Sequence, residues 1–265
     1  MTTRTLAPAQ SKSASFGAAG AVFIGRSLRH SLRNTEALMM AILLPIMLML
    51  LFTYVFGGAL DPSGHYVNYV VPGIILLCAG FGSSSTAVDV ATDMTNGIID
   101  RFRTMPIASM NVITGHVTAS LARNLLATAI VIGVGLLVGF EPSADFLEWL
   151  GAAGMITLFI LTFTWLFAAI GLVAGTPAAA SGYGFALLFL PYLSSAFVQT
   201  DTMPTWLQWI AENQPITPVI ETIRGLLTGT PIGNQAWLAV GWCLLLLIIA
   251  IVWGSWSFRR KAGRR

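Results

Sequence analysis

The sequence predicts an all-α polytopic membrane protein with six transmembrane helices, and three observations carry that prediction. Of 265 residues, 55% are apolar and only 9% are charged, against about 25% charged in an ordinary soluble domain. The apolar residues fall into stretches that suit a bilayer, because about 20 residues at about 1.5 Å each cross hydrocarbon about 30 Å thick. The basic residues gather in three segments that an even number of crossings places on one side. No single soluble core hides so much apolar surface, and a net charge of +3 gives no reason to expect nucleic acid.

Taken in order, residues 1–15 are Ser/Thr/Ala-rich and predict a disordered tail. The first 20 residues lack the apolar core of a cleaved signal peptide. Residues 16–36 predict an amphipathic interfacial helix, with Ala21, Ile24, Leu28 and Leu32 on one stripe and Arg26, Arg29, Arg33 and Glu36 opposite. Such a helix lies along the cytosolic membrane surface, its arginines among anionic lipid headgroups. Anchoring and topology control account for it simply; contact with a cytosolic partner is the further reading. Residues 37–257 carry spans near 37–59, 67–89, 112–140, 149–174, 180–199 and 236–257. Pro45 is expected to kink the first without ending it, and Gly182, Gly184 and Pro191 interrupt the fifth. Residues 258–265 form a basic tail.

Orientation follows from Lys and Arg. Arg4, Lys12, Arg26, Arg29 and Arg33 precede span one, Arg101 and Arg103 follow span two, and Arg259, Arg260, Lys261, Arg264 and Arg265 end the chain. Twelve of the fourteen basic residues thus share one side of a six-span chain, and the positive-inside rule makes it the cytosol. Both termini are expected to be cytoplasmic, in the plasma or inner membrane of a cell. The loop after span three, with Glu141, Asp145 and Glu148, faces outward.

Two connecting segments stand out. A cytosolic elbow at 90–111 contains Gly97-Ile-Ile-Asp100-Arg101-Phe102-Arg103-Thr104-Met105-Pro106-Ile107, a compact charged handle between apolar spans. Between spans five and six, residues 203–229 form a cap too apolar for a plain loop. Pro204 starts a helix carrying Trp206 and Trp209 three apart. Asn213-Gln214-Pro215-Ile216-Thr217-Pro218 breaks it, and a second helix runs through Glu221 and Arg224 to Gly229. Each piece is too short to span, so an external broken re-entrant helix pair is expected. Glu221 and Arg224 are spaced to pair, and the tryptophans suit the headgroup boundary. A purely structural cap and a substrate gate fit this pattern equally.

Recognisable catalytic chemistry is sparse. Lys12 and Lys261 are the two lysines, and neither sits in a phosphate-cradling P-loop, so no enzymatic or cofactor site is expected. His30, His65 and His116 lack metal-ligand spacing, and Cys78 and Cys243 fall inside apolar spans as packing residues. Gly135–Gly139 and Gly171–Gly175 fit helix-packing spacings. Asp89 ends span two in this reading, and Arg123 lies about three turns into span three with no evident partner. Carboxylates at mid-membrane, which a proton-coupled carrier needs, are not found.

The interfacial helix, the six spans, the elbow and the cap together resemble the ABC-2 type permeases, most closely the daunorubicin/doxorubicin-resistance membrane subunits of bacteria. The family's second-loop motif, Gly-x-x-Asp-Arg-Phe-Arg-Ser-Leu-Pro, is matched from Gly97 to Pro106 with Thr104 and Met105 in place of its serine and leucine. The cap motif is matched by Asn213, Gln214, Pro215 and Arg224. The likeness runs from about residue 17 onward. Before the elbow glycine, where many members carry charged residues, this chain has Met94, Thr95 and Asn96.

The resemblance implies a permease without its own ATPase, working with a cytosolic ABC ATPase subunit that binds ATP and magnesium, and with a second permease copy in a homodimer or related heterodimer. Gly97, Asp100, Arg101, Phe102, Arg103, Met105 and Pro106 would then be the ATPase-coupling residues. Arg101 and Arg103 also serve positive-inside topology. The implied path lies between two copies along spans two and five, which offer Ser83, Ser84, Tyr183, Phe189 and Tyr192. These side chains suit a flat hydrophobic small molecule and ordinary packing alike. The implied function is export of a hydrophobic or amphipathic compound, a drug, antibiotic or lipid-like molecule. Export of a lipo-oligosaccharide or lipid-linked glycan is the alternative, and a non-transporting membrane anchor or sensor subunit is a second.

Overall fold

A computed structural model of the chain describes residues 35–96 and 110–262. Arg26, Arg29 and Arg33 of the expected interfacial helix lie outside the described residues, as do Gly97, Asp100, Arg101, Phe102, Arg103, Met105 and Pro106 of the elbow.

Among the described residues the regular structure is helical throughout. Helix α1 (Thr35–Leu50) passes through a π-helical stretch (Leu51–Phe56) into the short α2 (Gly57–Leu60). Then come α3 (Tyr66–Thr95), α4 (Met110–Val138), α5 (Phe146–Val173), α6 (Pro177–Leu187), α7 (Thr205–Asn213), α8 (Ile216–Thr228) and α9 (Gln235–Ala262). Short 3-10 turns at Leu190–Leu193 and Thr200–Thr202 link α6 to α7. Five helical runs are long and apolar enough to cross a membrane: Ala41–Leu60, Tyr66–Thr95, Ile113–Val138, Phe146–Val173 and Gln235–Phe258.

The helix ends obey local chemistry. Asp145 and Glu148 are not merely acidic loop residues; they form a reciprocal capping box, each side chain accepting the other's backbone N–H at 2.8 Å, and so start α5. Thr176 caps α6 by accepting the Ala179 N–H at 3.1 Å, with Pro177 in the first turn. Gly229, at φ +72°, takes the left-handed conformation that ends α8.

Two expectations need correction. The segment 180–199 is not one continuous helix. α6 begins at Pro177 and ends at Leu187, four residues before Pro191, whose ring collides with the carbonyl of residue i−4 in a helix and which has no N–H to donate. The chain continues as the 3-10 turn Leu190–Leu193. The elbow is also shorter than 90–111: α3 runs on to Thr95 and α4 starts at Met110. Charge at Asp89 and Asp93 does not stop a helix; α3 continues to Thr95, where Asn96 caps it by donating its N–H to the Thr92 carbonyl at 2.9 Å. Asp89 therefore lies inside α3.

α3 is the axis of the bundle, with every residue from Val70 to Gly80 buried. Its neighbours come very close, which is how helices hold together in lipid, where apolar burial alone gives no preference. A Cβ on Gly171 of α5 would lie 2.4 Å from the Ala87 carbonyl oxygen, and one on Gly73 of α3 2.6 Å from that of Ala196. Gly80 meets Leu188 and Gly184 meets Ser84, so residues 177–196 run antiparallel beside α3 despite their break. One end of the bundle holds α7 and α8 (the cap end); the other is where α3 stops and α4 starts (the elbow end).

Candidate functional site

Polar residues on α3 recur at helical spacing, and α4 answers them across an antiparallel seam. Nearest the elbow end, His116 Nε2 lies 2.9 Å from Asp93 Oδ2. Farther in, Thr86 donates to the Ser120 hydroxyl at 2.7 Å. Arg123 donates to Ser85 Oγ at 2.5 Å, and its guanidinium lies 3.9 Å from Asp89 Oδ2. Asn124 donates to Ser83 Oγ at 3.2 Å, and Thr164 of α5 reaches the same hydroxyl at 3.2 Å. Arg123 is 3% exposed. A charge so buried is tolerated only when paired and hydrogen-bonded, and the opposed carboxylate and hydroxyls supply both. Gly82 permits the Asn124 contact: a Cβ there would sit 1.6 Å from Asn124 Oδ1.

At the cap end a second arginine is held differently. Arg224, 5% exposed, donates to the Tyr69 carbonyl from Nε and Nη2 at 3.2 Å, to the Ser195 carbonyl at 2.7 Å and to Glu221 at 2.5 Å. Its guanidinium carbon lies 3.8 Å from the centre of the Tyr69 ring, a cation–π geometry. Tyr66 and Tyr69 donate to the carbonyls of Phe197 and Ser195, so residues 195–197 are tied to α3 and α8 together. Trp206 and Trp209 stand exposed on α7. Asn213 donates to the Trp209 carbonyl, Gln214 to that of Leu193, and Pro215 immediately precedes α8.

The residues suggested for a path divide. Tyr183, Phe189 and Tyr192 are exposed on α6 and the turn after it, in an aromatic chain running Phe185, Phe189, Tyr192, Phe197, Phe52. Ser84 is half-buried beside Gly184. Ser83 is fully buried among α3, α4 and α5, one residue away on the helix but on its packed face. Near the cap end, Leu60, Asp61, Tyr66, Tyr69, Phe197 and Gln199 help to line a cavity of about 420 Å³. The Ser63 hydroxyl and N–H hold the Asp61 carboxyl below the usual carboxylate range.

The profile of the family described as ABC-2 type transporter matches residues 21–228 of this helical, multi-span chain. The chain belongs to the ABC-2 type transporter family. Among similar proteins, the daunorubicin resistance ABC transporter permease protein DrrB1 of Streptomyces coeruleorubidus is 34% identical over 191 residues, covering 71% of this chain and 68% of the relative. The probable doxorubicin resistance ABC transporter permease protein DrrC of Mycobacterium tuberculosis is 25% identical over 238 residues, 84% of this chain and 83% of the relative. The putative transport permease ycf38 of Pyropia yezoensis is 26% identical over 232 residues, 84% of this chain and 75% of the relative.

This ABC-2 chain is therefore a multi-pass membrane protein of a transport family. Within it, Asp93, Thr86, Ser120 and Asn124 were not singled out from sequence, and His116 was noted only for lacking metal-ligand spacing. The signal was present, since Ser85, Asp89 and Asp93 recur every four residues, as do His116 and Ser120. Pairing them needs the register between two helices, which spacing along each one does not contain.

Proposed function

We propose that this chain is the permease subunit of an ATP-binding cassette exporter that moves a hydrophobic or amphipathic, drug-like compound out of the cell, powered by a separate ATPase subunit. The observation that carries this reading is the ABC-2 family match over residues 21–228, joined to relatives named for daunorubicin and doxorubicin resistance.

Residues 97–107 are the handle for the ATPase, with Phe102 and Met105 seated in its cleft and Arg101 and Arg103 paired with acidic groups that line it. ATP and magnesium sit on that partner. Arg26, Arg29 and Arg33 hold the preceding segment at the cytosolic headgroups. The basic bias puts both termini and the elbow end in the cytosol. Residues 177–196 then make a sixth, broken crossing, since they accompany α3 along its length. α7 and α8 become the external re-entrant pair, with Trp206 and Trp209 at the headgroup boundary.

A broken crossing is not tolerated against lipid, where backbone groups must be satisfied within the protein or by water in a cavity. The exposed face of α6 and the irregular backbone after Leu188 therefore suit a second permease copy and a path between the copies. Tyr183, Phe189 and Tyr192 offer aromatic surface there, and Ser84 a hydroxyl.

The test is reconstitution of the permease with its cognate ATPase subunit in lipid vesicles. ATP-dependent movement of an amphipathic drug is expected, and Arg101→Ala or Phe102→Ala should abolish it without loss of folded permease. Intact transport in both variants would remove the coupling role from the elbow.

A further inference from the structure

We propose that the half of the α3–α4 hairpin next to residues 97–109 is a clamped lever, in which Asp89, Asp93, His116 and Arg123 are positioning residues that carry displacement of that segment to α6. The inference rests on the reading that an ATPase subunit acts at 97–109, and goes beyond it by naming the route inward.

The clamp consists of contacts that sliding helices cannot keep. Asp93–His116, Thr86–Ser120, Ser85–Arg123, Asp89–Arg123 and Ser83–Asn124 all bridge α3 and α4. On α3 they extend from Asp93 back to Ser83, about 15 Å at 1.5 Å per residue. They share one antiparallel register: a slip by one turn of about 5.4 Å would part the short-reach pairs Thr86–Ser120 and Ser83–Asn124, while Arg123, which spans Ser85 and Asp89 one turn apart, would lose at least one of the two. Apolar surfaces impose no such directionality. Beyond Gly82 the character changes: α3 from Val70 to Ala79 is wholly apolar or glycine and proline, and a Cβ on Gly135 of α4 would meet Val71 and Met49.

The lever's far end is where α6 touches α3. Ser84 lies beside Gly184, and Gly80 against Leu188. Motion delivered to residues 80–84 is thus handed to the helix that bears Tyr183 and to the turn after it that bears Phe189. Through Thr164, and through Gly171 packed on the Ala87 carbonyl, α5 is gripped by the same stretch. Pro72, in the apolar half of α3, is the place where that half can bend relative to the clamped one.

A reversible cross-link tests this directly. The Thr86 and Ser120 hydroxyls are 2.7 Å apart, so Thr86→Cys with Ser120→Cys, in a Cys78→Ala, Cys243→Ala background, places two thiols within disulfide reach. The full permease–ATPase complex is reconstituted in vesicles, and drug transport and ATP hydrolysis are measured with the bond oxidised and reduced. A lever that moves as one body transports equally well in both forms. Transport lost on oxidation and restored by reduction would overturn the proposal, because α3 and α4 would then have to slide.

Arg123→Gln supplies the second arm, with the amount of folded complex measured alongside. Transport per ATP should fall about tenfold, within the usual range for coupling between sites, while hydrolysis persists. The charge exchange Asp89→Arg with Arg123→Asp, or the oxidised cross-link in the Arg123→Gln protein, should recover part of it. Undiminished transport per ATP in Arg123→Gln would also overturn the proposal. If the unaltered complex shows no ATP-driven transport, the exporter reading itself falls and this inference with it.

Discussion

Arg123 and Arg224 are both buried and both paired with a carboxylate, and yet the one is fixed mainly by side chains and the other mainly by backbone carbonyls. Arg224 is held by backbone carbonyls of Tyr69 and Ser195, by an adjacent ring and by Glu221 one turn away on its own helix. Across the α3–α4 seam Arg123 meets the Ser85 hydroxyl, the Gly82 carbonyl at a long 3.4 Å and the more distant Asp89, and it touches Ser120 on its own helix. Backbone carbonyls cannot change rotamer, so the first arrangement pins three segments in one geometry. Side-chain partners hold register while permitting local readjustment. The cap end is built to stay; the elbow end is built to move as a unit.

The largest expected effect is at the pin. Arg224→Met leaves Glu221 without its partner and takes a donor from the carbonyls of Tyr69 and Ser195, the latter keeping the Tyr69 hydroxyl; removal of one partner of a buried pair costs about 3 kcal/mol or more. Thermal denaturation in detergent should show a large loss, and Arg224→Lys should recover little, because an ammonium does not reproduce the guanidinium fork. Full recovery by lysine would erase the distinction between the two arginines. Next comes close packing: Gly171→Val drives a side chain into the Ala87 carbonyl, with an expected loss of about 2 kcal/mol by the same measurement.

Arg123→Gln sharpens the contrast, since the amide keeps hydrogen-bonding capacity to Ser85. Its stability loss should be smaller than that of Arg224→Met and its transport loss larger, relative to folded protein. The reverse order would mean that the elbow-end arginine is the structural one. Thr86→Val removes one hydroxyl contact to Ser120 and should cost only about 1 kcal/mol. Tyr183→Ala, at an exposed position, should leave stability within about 0.5 kcal/mol while altering drug transport.

Much of this architecture is legible in the chain itself. Apolar stretches disclose five long helices because hydropathy over a span is a bulk property, and the break after Asn213 is written in Gln214-Pro215. The fifth span was harder. Gly182, Gly184 and Pro191 signal interruption, but only the position of Pro191 relative to Leu187 fixes where the helix stops. Asp89 looks like the end of a span and Asp93 like an elbow residue until the Asn96-Gly97 stop signal in the sequence is given more weight than charge. Arg123 is visible as an expensive residue, while its carboxylate lies 34 positions earlier on another helix. The same limit separates Ser83 from Ser84: adjacent in sequence, one belongs to the packed interior and the other to the α6 contact.

The account's central claim is that an ATPase subunit drives this ABC-2 permease through residues 97–109. Vesicles containing the permease and its cognate ATPase, loaded with an amphipathic drug, test it most directly when ATP-dependent drug movement is compared between the unaltered chain and Phe102→Ala. The account predicts robust transport in the first and none in the second, with equal amounts of folded permease. Equal transport in both would contradict it.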